Sequence, residues 1–280
     1  MKKRIITVQT IKSFEEHLLA NEKAPATTQK YMHDIRHFVE YTMNKPLEKQ
    51  LILDYKASLE QHYAIRSANS MIAALNAFLR FLGWFDLCVK QFKVQKESYC
   101  SEEKELTKEE YISLVKAAQH KNNERLSLML QTICGTGIRV SELQYITVEA
   151  AKKGEAIVSC KGKIRKIFIV AALRKKLLQY AQSNELKQGS IFVTKRGKPL
   201  NRSNIWREMK DLCKQAGVSP KKVFPHNLRH LFARTFYGIE KDIAKLADIL
   251  GHSNINTTRI YTITSGAEHQ RRMENMRLII

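Results

Sequence analysis

Ala156-Ile157-Val158 and Ile164-Arg165-Lys166-Ile167-Phe168-Ile169-Val170, with Lys161-Gly162-Lys163 between them, interrupt the helical patterning of the chain with two apolar arms around a glycine. Both arms are rich in β-branched and aromatic residues, and a glycine between two lysines suits a turn, so the stretch predicts two short strands. Ser190 to Thr194 is a third candidate strand. Outside this region the pattern changes. Gly (11) and Pro (5) are scarce, and the long stretches between them carry apolar residues at helical spacing. The fold class is therefore mainly α, with a small antiparallel β-sheet in the downstream half.

Upstream, Val8 to Leu19 is amphipathic, and Ala26-Thr27-Thr28 opens a second helix marked by Tyr31, Ile35, Phe38, Val39 and Met43. Pro46 starts a third, through about His62, and Ser67 to Trp84 gives a fourth with Met71, Leu75, Phe78, Leu79 and Leu82 on one face. From Lys90 to Glu105 the sequence is polar without apolar periodicity, which reads as a linker. Thr107-Lys-Glu-Glu110 then has the form of a capping box, and Leu126 to Cys134 is apolar enough to be buried. The expected organisation is a helical domain over 1–89, a linker over 90–105 and a second domain over 106–280 that holds the hairpin.

The chain carries 48 Lys plus Arg against 27 Asp plus Glu, a formal charge of +21, which points to an extended polyanion as partner. Residues 1–100 hold 15 basic and 10 acidic side chains, so most of the surplus lies downstream. No window approaches a membrane span, and Met1-Lys2-Lys3-Arg4-Ile5-Ile6 turns polar before an export signal could form. No membrane partner is expected. Cys88, Cys100, Cys134, Cys160 and Cys213 are odd in number and form no CxxC, which favours a reducing, cytoplasmic setting over a disulfide framework or a zinc knuckle.

Four downstream segments carry chemistry. Gly135-Thr-Gly-Ile-Arg139-Val-Ser-Glu142 sets a cation after a glycine turn, with Arg139 and Glu142 spaced to pair. It lacks the GxxxxGK[ST] spacing of a nucleotide-binding loop. Lys161 falls at the hairpin turn. Pro225-His226-Asn227-Leu228-Arg229-His230 places three cationic or titratable groups on one face of a helix that Pro225 can begin, and Asn227 stands where a zinc HExxH motif needs Glu. Leu250-Gly251-His252-Ser-Asn254-Ile-Asn256-Thr-Thr-Arg-Ile-Tyr261 sets a His after a glycine turn and a Tyr beyond a short helix capped by Asn254 or Asn256. Two arginines, two histidines, a lysine and a tyrosine could clamp a phosphodiester and attack it. Arg139 and Arg229 match the excess negative charge of the transition state, a tyrosine hydroxyl serves as nucleophile, His226 suits taking its proton, and a Lys suits protonating the departing oxygen. Neither a metal nor another cofactor is needed.

In these residues the sequence resembles the tyrosine recombinase (phage integrase) family, whose signature runs Arg, hairpin Lys, His-x-x-Arg, His or Trp, and Tyr. GIRVSEL, PHNLRH and LGHSNINTTRIY occur in that order. The resemblance implies a two-domain DNA clamp, with an upstream SAM-like core-binding domain. It implies that Arg139 and Arg229 hold the scissile phosphate, Lys161 protonates the 5′-oxygen, His226 assists proton transfer, His252 hydrogen-bonds the phosphate and Tyr261 forms a 3′-phosphotyrosyl link. Lys163 competes with Lys161 for the hairpin role. Glu142 is expected to brace the site, and His230 to be structural or to support the phosphate pocket. In size the chain resembles compact Xer-like or mobile-element integrases, without the arm-binding domain of many phage enzymes.

Type IB topoisomerase-like relaxation and a catalytically silent DNA-binding protein are the alternatives. Candidate DNA contacts are Thr28, Lys30, Arg66, Asn69 and Arg80 upstream, and Lys163, Arg165, Lys195, Arg196 and Arg202 downstream. The expected partner is double-stranded DNA, engaged by a tetramer on two sites. Met273, Met276, Leu278, Ile279 and Ile280 form an apolar tail expected to dock on a neighbouring protomer.

Overall fold

The computed structural model describes residues 4–43, 45–94, 105–160, 163–194, 197–261, 271 and 273–276. The chain divides into two units, Met1–Lys96 and Glu97–Ile280.

In the first unit, helix α1 (Val8–Ala20) begins at a capping box in which Thr7 and Thr10 exchange backbone-to-hydroxyl bonds. Helix α2 (Pro25–Thr42) starts with proline at a position where the missing N–H costs nothing, and it ends on a left-handed Met43. Helix α3 (Lys49–His62) starts downstream of Pro46, because Glu48 is still extended. Helix α4 (Ile65–Phe81) then gives way to a turn through Gly83. The apolar stripes meet in a core that includes Phe14, Ile35, Phe38, Ile52, Tyr55, Leu75 and Phe78. Two side-chain amides on α4 stitch the following segment to the unit. Asn76 bonds both backbone groups of Val89, at 2.8 and 3.0 Å, and Asn69 bonds both of Phe92, at 3.0 and 2.7 Å.

The second unit opens at the expected capping box, where Thr107 and Glu110 satisfy each other's backbone N–H groups. Helices α5 (Lys108–His120) and α6 (Glu124–Thr136) follow, and α6 is the core helix, with Leu126, Leu128, Met129, Leu130 and Ile133 buried. A tight 3-10 turn over Val140–Tyr145 and the short helix α7 (Val148–Lys153) lead to the hairpin. Strands β1 (Glu155–Cys160) and β2 (Lys163–Phe168) pair antiparallel, with Val158 opposite Arg165. Ala156, Val158 and Ile167 turn inward, while Ile157, Ile164 and Phe168 stay exposed, the alternation of a sheet with one buried face.

Ser190 to Thr194 does not form the expected strand. It makes only single bridges, Thr147 to Ser190 and Val193 to Pro199, and Pro199 has no N–H with which to extend a ladder. Helices α8 (Ala171–Ser183), α9 (Arg202–Lys210), α10 (Cys213–Ala216), α11 (Pro225–Glu240), α12 (Ile243–Leu250) and α13 (Asn256–Arg259) complete the unit. Asp242 caps α12 through two backbone N–H groups, and the helix ends on Gly251 at φ +65°. Among the described residues, no helix is long and apolar enough to cross a membrane.

Candidate active site

The site forms where three turns converge. The first follows α6, which ends at Gly137 with φ +64°; a Cβ there would run into the Phe232 ring of α11. Only glycine therefore lets the chain turn this close to α11 and deliver Arg139. Arg139 caps the 3-10 turn reciprocally with Glu142: its N–H donates to Oε2 and its Nη1 to Oε1, each at 2.9 Å. The Arg139 side chain keeps 36% exposure, whereas the Glu142 side chain keeps 2%. Burial pushes the Glu142 carboxyl up, but the Arg139 hydrogen bonds and the Arg165 charge outweigh it and hold the group below its usual range.

The second element is the start of α11, with Pro225 in its first turn and His226, Arg229 and His230 on one face. Arg229 is 1% exposed. Its Nη1 donates to the Gly137 carbonyl at 2.6 Å, and its Nη2 donates to the Leu250 carbonyl at 2.7 Å and lies 3.1 Å from His252 Nε2. Burial, and then Arg139, push Arg229 down to about 10, so it remains a cation at neutral pH. One side chain thus joins the turn before Arg139 to the turn before His252.

The third turn carries His252. Because Arg229 can only donate, His252 Nε2 accepts, which places the ring proton on Nδ1, 2.8 Å from Thr258 Oγ1. Burial and the Arg229, Arg139 and Arg165 charges push His252 down to about 4. His230 is pushed to about 4 by burial, His226 and Arg234, and His226 is lowered by burial and Arg229. All three rings are neutral at neutral pH. Tyr261 is 3% exposed; His230 packs edge-on against it at 4.5 Å between centroids, and His252 stacks on it at 6.0 Å. The His226 and His230 rings are themselves 4.6 Å apart.

Five of the six expected catalytic side chains, Arg139, His226, Arg229, His252 and Tyr261, are thus brought into one cluster, together with Glu142 and His230. Lys161 lies outside the described residues. Arg139, His226 and Arg229 also line a cleft of about 390 Å³ with Ser141, Arg202 and Trp206. Trp206, half exposed one helical turn beyond Arg202 on α9, belongs to no motif that singled out the others.

The candidate DNA contacts separate. Arg66 and Arg80 are exposed, and Arg202 is exposed at the cleft. Thr28 is buried, so its place on a DNA-facing surface is corrected: it shares the α2 stripe with Met32 and Ile35. Lys30 is exposed but paired to Asp34 at 2.6 Å. Asn69 is committed to Phe92, and Arg165 to Glu142 and the Ile249 carbonyl, so neither is a free surface contact. The side chain of Lys163, and Lys195 and Arg196, lie outside the described residues. In the tail, Met273 and Met276 are exposed, and Leu278, Ile279 and Ile280 lie outside the described residues. Among the described residues, no group of three His, Cys, Asp or Glu side chains could hold a metal ion.

A buried arginine and neutral histidines gather with a tyrosine at the start of α11 and the segments beside it on a helical scaffold, and the chain belongs to the phage integrase family. Residues 104–267 match the phage integrase family, and residues 11–84 match its N-terminal SAM-like domain. Among its relatives is the tyrosine recombinase XerA of Thermococcus kodakarensis, 30% identical over 283 residues that span 97% of this chain and 96% of that protein. The tyrosine recombinase XerD of Halalkalibacterium halodurans is 30% identical over 258 residues, 84% of this chain and 86% of that protein. In fold, the chain is similar to a lambda integrase crystallised as a dimer on a COC′ core site, with TM-score 0.74, 20% identity and coverage of 91% and 94%.

Proposed function

We propose that this tyrosine-type site-specific recombinase cuts and rejoins DNA with Tyr261 as its nucleophile and the Arg139–Arg229 pair as its phosphate clamp. The observation that carries the reading is Arg229, a buried cation held by the protein's own groups at both flanking turns and beside His252. Donors fixed in advance stabilise developing charge without reorganising during the reaction. The Tyr261 oxygen would bond to phosphorus as the bond to the 5′-oxygen breaks, leaving a 3′-phosphotyrosyl ester. The tyrosine proton would pass to a neutral imidazole of the cluster, with His226 in the assisting role, and Lys161 would protonate the departing 5′-oxygen. Attack by a second strand's 5′-hydroxyl reverses these steps and restores a phosphodiester, so the bond energy is conserved without a nucleotide or a metal.

Tyr261 is 3% exposed, so its hydroxyl has to be uncovered before it can attack a phosphate. Double-stranded DNA is the partner, engaged by exposed cations such as Arg66, Arg80 and Arg202, in a cytoplasmic setting. Recombination of two sites needs four strand cuts, which fits a tetramer held by exchange of the apolar tail. The test is covalent trapping: the purified protein is incubated with fragmented genomic DNA, adducts are isolated under denaturing conditions, and the attached DNA is sequenced. A single recurring sequence cut at one phosphate supports the reading, and the absence of adducts overturns it.

A further inference from the structure

Arg165 draws notice because the basic surface does not use it. It sits on β2 with only 11% of its side chain exposed, and its two terminal nitrogens reach different elements. Nη2 donates to Glu142 Oε2 at 2.5 Å, and Nη1 donates to the carbonyl of Ile249 in the last turn of α12. The next carbonyl, that of Leu250, is taken by Arg229. A helix leaves its last carbonyls without internal partners, and here two consecutive ones are each held by a guanidinium. His252 follows them after one residue.

We infer that Arg165 is a positioning residue for strand cleavage, tying the turn that presents Arg139 to the turn that presents His252. Glu142 is the shared link: the carboxylate that receives Arg165 also receives the Arg139 backbone N–H and Nη1. A chain of contacts therefore runs from the end of α12 through Arg165 and Glu142 to Arg139. The stem of Arg165 also lies against Gly251, where a Cβ would approach its Cδ to 2.6 Å, so the glycine turn before His252 is shaped around this side chain.

Charge supplies a second argument. Glu142 alone would neutralise Arg139 and leave a poor ligand for a phosphate. With Arg165 on the other side of the carboxylate, the trio carries a net positive charge, and the exposed edge of Arg139 remains cationic toward an incoming anion. Lysine cannot replace Arg165, because a single ammonium does not span two acceptors on separate elements as a guanidinium fork does.

The inference rests on the recombinase reading, and the experiment separates the two. The substrate is a nicked duplex bearing the sequence recovered from wild-type adducts, and the variants are Arg165→Met, Arg165→Lys, Arg139→Ala and the Arg139→Ala/Arg165→Met double. Single-turnover adduct formation is measured beside single-site affinity over a range of salt. Arg165→Met and Arg165→Lys should both slow cleavage by roughly 10–100-fold, the scale of a small misplacement of catalytic groups. Affinity should stay within about twofold, the salt slope should not change, and the double variant should be within about threefold of Arg139→Ala, since both changes disable one unit. Arg165→Lys, which keeps stem and charge, stands in if Arg165→Met does not fold. Wild-type rates in Arg165→Lys, a salt slope reduced by about one phosphate contact in Arg165→Met, or multiplying losses in the double variant would overturn the inference alone. Failure of the wild type to form any adduct would overturn the recombinase reading and this inference with it.

Discussion

Replacing Arg229 by Met keeps an unbranched stem but deletes the guanidinium that joins the Gly137 and Leu250 carbonyls. Both carbonyls are buried, and each would be left without the donor it now has at 2.6 or 2.7 Å. An unsatisfied buried acceptor costs about 1–3 kcal/mol, so the pair sets an expected loss of roughly 4 kcal/mol. For a unit of this size, each kcal/mol moves Tm by about 2–4 °C, which predicts a drop of roughly 8–16 °C in a thermal melt. Cleavage should fall by about 10²–10³-fold when measured below the melting range of the variant, because a fixed donor to the transition-state charge is gone. Arg229→Lys should recover part of the stability and little of the rate, since one ammonium cannot hold both turns. A Tm within about 2 °C of wild type would show that water satisfies the carbonyls and that Arg229 braces nothing. A normal cleavage rate would remove it from the phosphate clamp.

Three further outcomes are expected. Gly137→Ala should destabilise the second unit by about 1–3 kcal/mol in urea unfolding, from the positive φ together with the contact its Cβ makes with the Phe232 ring, and an unchanged midpoint would refute that account. His230 and His252 titrate near 4 when folded against 6.5 for an ordinary histidine, so the unfolded chain binds more protons between those values. Stability from these groups is then complete above pH 6.5 and declines as pH falls toward 4; a urea midpoint that stays flat over that interval would contradict the assignment of neutral, buried rings. Lys161→Ala should cleave poorly on ordinary DNA and recover on a 5′-bridging phosphorothiolate, whose sulfur leaves without protonation, whereas Arg229→Met should not recover. The opposite pattern would exchange the two roles.

The parts of this molecule that follow a local rule were legible in its sequence. Thr107 and Glu110 are three residues apart and cap α5 as that spacing requires. The hairpin arms alternate and pair antiparallel as read, although Lys163, expected in the turn, pairs with Cys160 and the second arm ends at Phe168 rather than Val170. That Arg139, His226, Arg229 and His252 would gather was legible because each motif carries its own turn or helix start: glycine before Arg139, proline before His226, glycine before His252. Thr28 was misplaced although the signal existed, since it sits four and seven residues before Met32 and Ile35 and so falls on their buried stripe. Other features had no local signal. Nothing in the spacing from Arg165 to Glu142 or Ile249 announces that they meet, because the contact arises only when β2 packs beside α12. Asn69 looks like a polar surface residue until Phe92 folds back to take both of its amide bonds. Trp206 enters the cleft wall only because α9 and the start of α11, far apart in the chain, border the same cleft.

In the proposed reaction Tyr261 becomes covalently joined to DNA. The direct measurement is peptide mapping by mass spectrometry of the adduct trapped on a nicked duplex bearing the recovered site, run in parallel for wild type and Tyr261→Phe with binding followed on the same DNA. Wild type should carry a 3′-phosphate ester on Tyr261, and the Phe variant should form no adduct while binding with affinity within about twofold of wild type. An adduct of normal yield in Tyr261→Phe, one mapped to Tyr145 or Tyr237, or a bond to the 5′-phosphate would contradict it.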